Sequence, residues 1–371
     1  MKKLLCSLSI AALCLPLSAQ ATPNPSHVSA DAAWAFHADF KAMRETALGQ
    51  EFIKFLRTQQ FAATENFLAL NTDKFLEAIG SITAYDEKDG SGGVLIHGND
   101  DLRKIAEGLL VQETLQKREG FVCTEVKDAP FPTYSVRGKH QSKDLKLDAE
   151  LLLAFPPEPV ILIAESQPQI QLLRDVLLER KNSLAKTPDA VLAESMRNAG
   201  NAYLYVGTTT LPNEKTDGNS PQSRILRLSK SASLAVGENG PQTFARAHLV
   251  AGSEETAVKL LKVVEGLAAM LSLAESKDAD ISAFLNSVKV QKTNQTITTE
   301  ISYPSARILS MFQTLLRRLG DTLQEKKDAK KKATEGATAA NASAQSRVSL
   351  ASVTLDPQNS PAPQRNPAAL P

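Results

Sequence analysis

The stretch from Asp86 to Asp101, DEKDGSGGVLIHGNDD, gathers more chemistry-bearing residue types than any other part of the chain: glycines, a serine, a histidine and several acids. Such a set could hold calcium, cradle a phosphate, present a nucleophile, or simply turn a hairpin. A calcium loop of the EF-hand kind needs acids at its ends, and aligning Gly90 with the obligatory glycine puts Tyr85 first and Ile96 last. A phosphate loop needs Gly-Lys-Ser or Gly-Lys-Thr, and Gly93 is followed by Val94.

The serine readings fail as well. Asp89-Gly90-Ser91 reverses the Gly-Asp-Ser order of chymotrypsin-like sites, and Asp89 stands where a G-x-S-x-G elbow needs its first glycine. What remains is a hairpin, with Asp89-Gly90 and Gly92-Gly93 expected to supply positive φ at low cost.

The other constellations reduce to structure in the same way. Asp100 with Asp101, and Glu254 with Glu255, fall in expected first helical turns, where the helix dipole and free N–H groups favour acids. His27, His37, His97, His140 and His248 show no i, i+4 pair, and only Cys123 could join them, so neither a metal-ligand set nor a cofactor is expected. His37 and His248 fall in expected strands and read as satisfied histidines. Ser183-Leu184-Ala185-Lys186 matches S-x-x-K, but it closes a helix and no K-T-G accompanies it. Between Arg317 and Lys332, basic residues outnumber acids, which allows weak contact with an anionic surface. No catalytic residue is assigned.

The elements that position these residues can be read from periodicity. AAWAFHADF (32–40) alternates as a strand, and KAMRETALGQEFIKFLRTQQ repeats apolar residues at helical spacing. After a second helical stretch come the hairpin, a helix from Asp100, strands at FVCTEV, TYSVRG, LDAELLLAF and PVILIAES, and a helix from Pro168. The order then recurs: AYLYVGTTT, a polar loop, a hairpin around Gly237-Glu238-Asn239-Gly240, a long helix, a second hairpin near Asn294 and a closing helix. VLIHGNDDLRKIAEGL and HLVAGSEETAVKLLKVVEGL share one pattern, which suggests an internal duplication. The fold class expected is α+β: two related halves, 31–186 and 187–320, each an antiparallel sheet with helices on one face.

The ends carry different signals. Residues 1–21, MKKLLCSLSIAALCLPLSAQA, read as a secretory signal with cleavage after Ala21, and residues 22–30 as a flexible N-terminus. Cys6 and Cys14 would leave with the signal, so Cys123 would have no partner for a disulfide. Residues 321–371, rich in Ala, Ser, Lys and Pro, cannot bury enough apolar surface to order themselves and read as a disordered tail. With 42 basic and 41 acidic residues the net charge of +1 provides no field for nucleic acid. No later apolar run is long enough for a transmembrane segment.

With AAWAFHADFKAMRETALGQEFIKFL and the two strand-glycine-helix units in view, the chain resembles a loosely defined group of uncharacterised exported bacterial proteins. The likeness covers about residues 30 to 318, rests on packing motifs, and implies no site residue. The expected function is that of a periplasmic or secreted, non-enzymatic protein binding a protein or small ligand in the cell envelope. The alternative is a hydrolase with its site in the cleft between the halves.

Overall fold

The computed structural model describes residues 23–59, 72–116, 121–141, 146–211, 221–273, 279–311 and 313–314. The expected signal, the tail from 321, most of the polar loop after Leu211 and the basic stretch from Arg317 lie outside the described residues. The chain divides into two units, 1–311 and 312–371, and all elements named below belong to the first.

In chain order the first part runs β1 (Ala32–Asp39), α1 (Phe40–Glu45), α2 (Ala47–Gln59), α3 (Thr72–Ala78), β2 (Ile79–Glu87), β3 (Gly92–Gly98) and α4 (Asp100–Gln116). Then come β4 (Phe121–Glu125), β5 (Thr133–Gln141), β6 (Lys146–Ala154), β7 (Val160–Ala164), α5 (Gln167–Leu177) and α6 (Val191–Asn198). The remainder is β8 (Ala202–Thr208), α7 (Pro221–Leu228), β9 (Ser229–Asn239), β10 (Gln242–Ala251), α8 (Glu254–Leu273), α9 (Ala279–Asn286), β11 (Lys289–Thr293) and β12 (Thr296–Pro304). Short 3-10 turns lie at Pro25–His27 and Leu184–Lys186.

The α+β class and the antiparallel pairing are as the periodicity implies. The strands, however, form one 12-stranded sheet in the order β11-β12-β10-β9-β8-β1-β2-β3-β7-β6-β5-β4. The seam is β1 against β8, with Trp34 opposite Thr208 and His37 opposite Tyr205. Residues 31–186 and 187–320 therefore share a sheet across this seam instead of building one each. Outward from it the order β1-β2-β3-β7 matches β8-β9-β10-β12.

Helices cover both faces, which corrects the expected one-sided layering. The upper face carries Ala35, Tyr85, Leu95 and Leu162 against Ile170 and Leu173 of α5 and Leu192 and Met196 of α6. The lower face carries Ala38, Ile96 and Ile161 against Phe40 and Met43 of α1, Ile53 of α2 and Leu102 and Ala106 of α4. Alternate residues of a strand face opposite ways, so runs such as Val94-Leu95-Ile96 and Val160-Ile161-Leu162 are apolar throughout because both sides are buried. On the lower face of the other half, Ala257 and Leu260 of α8 pack on Leu249 and Ile297. Between these two lower helix groups Trp34, Val206 and Leu234 remain exposed on the sheet.

The opening hairpin is real: β2 pairs β3, Glu87 N–H donates to Ser91 O at 3.0 Å, and Ser91 N–H donates to Asp89 Oδ1 at 2.9 Å. Gly90 alone in this loop has positive φ, +82°. Gly92 and Gly93 are extended strand residues instead. A Cβ on Gly93 would strike Ile163 O and Leu173, so this glycine is needed for close approach.

Candidate ligand groove and histidine cluster

At the end of the sheet where β1 begins, the seam opens into a groove of about 1280 Å³. Its walls come from both halves: Trp34 and Lys88 on one side, Thr208, Arg227, Lys230 and Val250 on the other. The chain positions them by ending strands here, since β2, β8 and β10 finish at this edge and β1 and β9 start there. Trp34 is the chain's single tryptophan and stands 38% exposed.

The electrostatics of the groove are one-sided. Among the described lining residues the one acid, Glu87, is already engaged, accepting from Lys181 Nζ at 2.7 Å and from Ser29 Oγ at 2.6 Å. Lys88, Arg227 and Lys230 have no ion pair among the described residues. The hydroxyls of Thr208 and Thr209 donate to Ala33 O at 3.3 and 3.1 Å, so neither is paired with a base. The arrangement can attract an anion and pack an apolar body on an indole, and its described lining residues form no nucleophile–base pair.

A second constellation lies on the upper face, built of His27, His37 and His97. Period-two alternation puts His37 two residues past Ala35 on β1 and His97 two past Leu95 on β3, and the 3-10 turn brings His27 onto them. The rings of His27 and His97 stack with centroids 4.5 Å apart and planes 13° from parallel. His37 is 4% exposed and its Nδ1 pairs with Thr83 Oγ1 at 3.0 Å. Its Nε2, and Nδ1 of His97, are buried without a hydrogen-bond partner.

Burial holds all three rings neutral. His37 is pushed down to about 4 by burial, helped by the nearby His27. His97 falls to about 4 from burial, then from the proximity of His27 and His37. Burial lowers His27 as well. Parallel stacking sets nitrogens side by side instead of converging them, and no metal-ligand group of three occurs among the described residues.

The remaining candidates stand apart from both places. Asp100 and Asp101 lie in the first turn of α4, with Asp101 paired to Lys104, while Glu254 and Glu255 open α8 and bind Lys292 and Lys259. Lys186 reaches Glu179 at 3.2 Å, and buried Ser183 sits ahead of a 3-10 turn without a side-chain capping bond. His248 Nδ1 pairs with Thr298 Oγ1 at 3.1 Å on β10, and Cys123 packs beside the lower core. His140 lies on β5, its side chain outside the described residues. Taken one residue at a time the sequence does not reveal the histidine cluster; the signal for it is the strand parity that His37 shares with Ala35 and His97 with Leu95.

No family model matches the chain, and no curated protein matches it. Among solved structures it is similar to TP0453: crystal form III at TM-score 0.42 and 8% identity, covering 79% of this chain and 99% of that one. Crystal form I gives TM-score 0.38 at 8% identity, over 80% and 98% of the two chains. Likeness at this level carries no functional argument. Among the described residues no helix is long and apolar enough to cross a membrane.

Proposed function

We propose that this is an exported, non-enzymatic binding protein of the cell envelope whose ligand is an anion carried on an apolar body, held in the groove at the β1–β8 seam. The observation that carries the reading is the exposed Trp34 beside Lys88, Arg227 and Lys230, cations without acidic partners, in a groove of about 1280 Å³. Pockets of this order take small ligands, and apolar walls with a few charged groups set orientation. The export part rests on residues 1–21 alone. The alternative, a hydrolase acting in the cleft between halves, finds no histidine or cysteine among the described residues of the groove lining. The matching strand order on either side of the seam supports the duplication read from the sequence.

Trp34 is a built-in reporter, since no other tryptophan contributes. Titration with naphthalene-1-sulfonate, with neutral naphthalene-1-methanol as control, should change Trp34 emission with the anion binding at least about tenfold more tightly. Arg227→Gln with Lys230→Gln should remove that preference. Equal affinity for both probes, or an unchanged preference in the double variant, would overturn the reading.

A further inference from the structure

We propose that His27, His37 and His97 form an acid-operated latch that holds the N-terminal strap, residues 24–31, on the upper face at neutral pH and lets it go as the pH falls.

The strap is docked by bonds to several elements: Ser29 Oγ donates to Glu87 Oε1 at 2.6 Å and Asp31 pairs with Lys181 at 3.6 Å, ties that do not involve the histidines. Ala30 N–H donates to Asn182 O at 3.0 Å, Leu184 N–H donates to Val28 O at 2.9 Å, Ser29 bridges to Ser183, and Val28 is fully buried in the upper core. Its 3-10 turn packs on the turn at Leu184–Lys186 and on α5 and α6. His27 is the strap's contribution to the cluster, and two features make that contact depend on an unprotonated ring. The first is Asn24: its Oδ1 accepts from Ser26 N–H at 3.0 Å, which fixes the amide, so its Nδ2 donates to His27 Nε2 at 3.1 Å. A proton on Nε2 turns that acceptor into a donor facing a donor. The second is the stack, where a proton on each ring sets like charges 4.5 Å apart away from water.

The three rings differ in freedom. His37 and His97 are fixed in ladders, opposite Thr83 and Ser81, whereas His27 sits in a three-residue turn. Charge in the cluster is therefore relieved most easily by moving His27 and with it the strap. Among the described residues no carboxylate acts on the three rings: on β2, Glu87 is held by Lys181 and Ser29, and burial keeps the Tyr85 hydroxyl protonated. On α5, Arg174 is paired with Glu158 and Asp175 with Arg180. At the 184–186 turn Lys186 is paired with Glu179; on α6 Glu194 acts on His248 and Arg197 binds Pro188 O. Tyr205 opposite His37 is bonded to Ser195, and its hydroxyl stays protonated. The strap leads directly into Ala33 and Trp34, so its release reaches the edge of the groove.

The test is hydrogen exchange of a peptide covering 24–33, compared with one from the β9–β10 hairpin, at about pH 7.5 and about pH 4.5 and corrected for intrinsic rates. Strap protection should fall at least about tenfold more than that of the hairpin. The double variant His27→Phe with His97→Phe keeps a ring stack without a proton site, and its strap should show no extra loss. Equal loss in strap and hairpin, or a wild-type response in the double variant, would overturn the proposal. Should that variant not fold, the histidine proton resonances of the natural chain decide: titration below about 6 together with shifts of the strap amides supports the latch. Titration of the cluster at or above about 6.5, or strap amides that do not follow, sinks it.

Discussion

Glu238 on β9 accepts hydrogen bonds from the backbone N–H of Leu48, at 3.0 Å, and of Gly49, at 3.3 Å, in the first turn of α2. A helix start leaves such N–H groups unpaired, and the hydroxyl of Thr46, the residue ahead of α2, turns back to donate to Met43 O at 3.3 Å. A carboxylate from a strand 190 residues away takes over the capping role and ties the first half's helices to the second half's strands. Glu238→Ala should lower stability by about 2 kcal/mol and Glu238→Gln, which keeps one acceptor, by about half of that. Urea unfolding curves give both numbers, and an alanine variant as stable as the natural chain would show that the cap carries no weight.

A second tie crosses the sheet's upper edge. Lys181 Nζ lies 2.7 Å from Glu87 Oε1 and 3.6 Å from Asp31 Oδ2, and Glu87, whose side chain is 10% exposed, also accepts from Ser29. Burial disfavours the Lys181 charge, but the bonds to Glu87 and Asp31 outweigh it and raise its pKa. A raised lysine contributes stability that is complete below its unfolded value and is lost as the pH climbs through the folded one. Lys181→Met leaves a mostly buried carboxylate without its cation and should cost about 2 kcal/mol at neutral pH. A double cycle with Glu87→Gln should return part of that loss; additive costs would mean that the pair does not interact.

What the sequence shows and what it hides separate along physical lines. The hairpin at 88–91 was legible because Asp89-Gly90 is a local turn signal between alternating runs, and the acids of α4 and α8 were legible as helix-start chemistry. The two-sided layering was visible in principle in Val94-Leu95-Ile96 and Val160-Ile161-Leu162, runs without polar alternation that mark burial on both faces. The β1–β8 seam was not, because pairing strands 170 residues apart leaves no local trace: Phe36 meets Val206 only in the fold. The groove followed the seam out of view, since Trp34 and Arg227 come to line one groove only once the strands are paired. Glu238 reads in sequence as a hairpin residue before Asn239-Gly240, and nothing about it announces a helix to cap.

Glycine substitutions should split by what a methyl group would meet. At Gly93 a Cβ would run into the backbone oxygen of Ile163 and the side chain of Leu173, one residue before the Val94–Ile163 pair that opens the β3–β7 pairing. Neither strand can retreat without breaking its ladder, so Gly93→Ala should cost about 3 kcal/mol, in the range of an overpacked core. Gly108 on α4 has open space around its Cβ position. There alanine restricts the unfolded chain and favours the helix, so Gly108→Ala should stabilise by roughly 0.5 to 1 kcal/mol. Thermal melts of both variants check the pair, and a neutral Gly93→Ala would mean that the sheet yields where its close approach says it cannot.

The buried histidines make the stability of the fold depend on acidity. His37 and His97 titrate near 4 in the folded chain against an ordinary value of 6.5, because burial disfavours their charged forms. Between those values the unfolded chain binds more protons than the folded one, so stability rises with pH across this window and is lost as the pH falls through it. For each ring the full loss is on the order of 3 kcal/mol, reached below about pH 4. Above about pH 6.5 these rings should contribute no slope. Unfolding free energies from urea curves at half-unit steps should therefore lie flat near neutrality and decline steadily below about pH 6. The double variant His37→Asn with His97→Asn should be less stable at pH 7 but show a shallower acid decline. A natural chain whose stability stayed level down to about pH 4 would mean that these imidazoles find water or a counter-charge that the packing around Thr83 and Val160 does not provide.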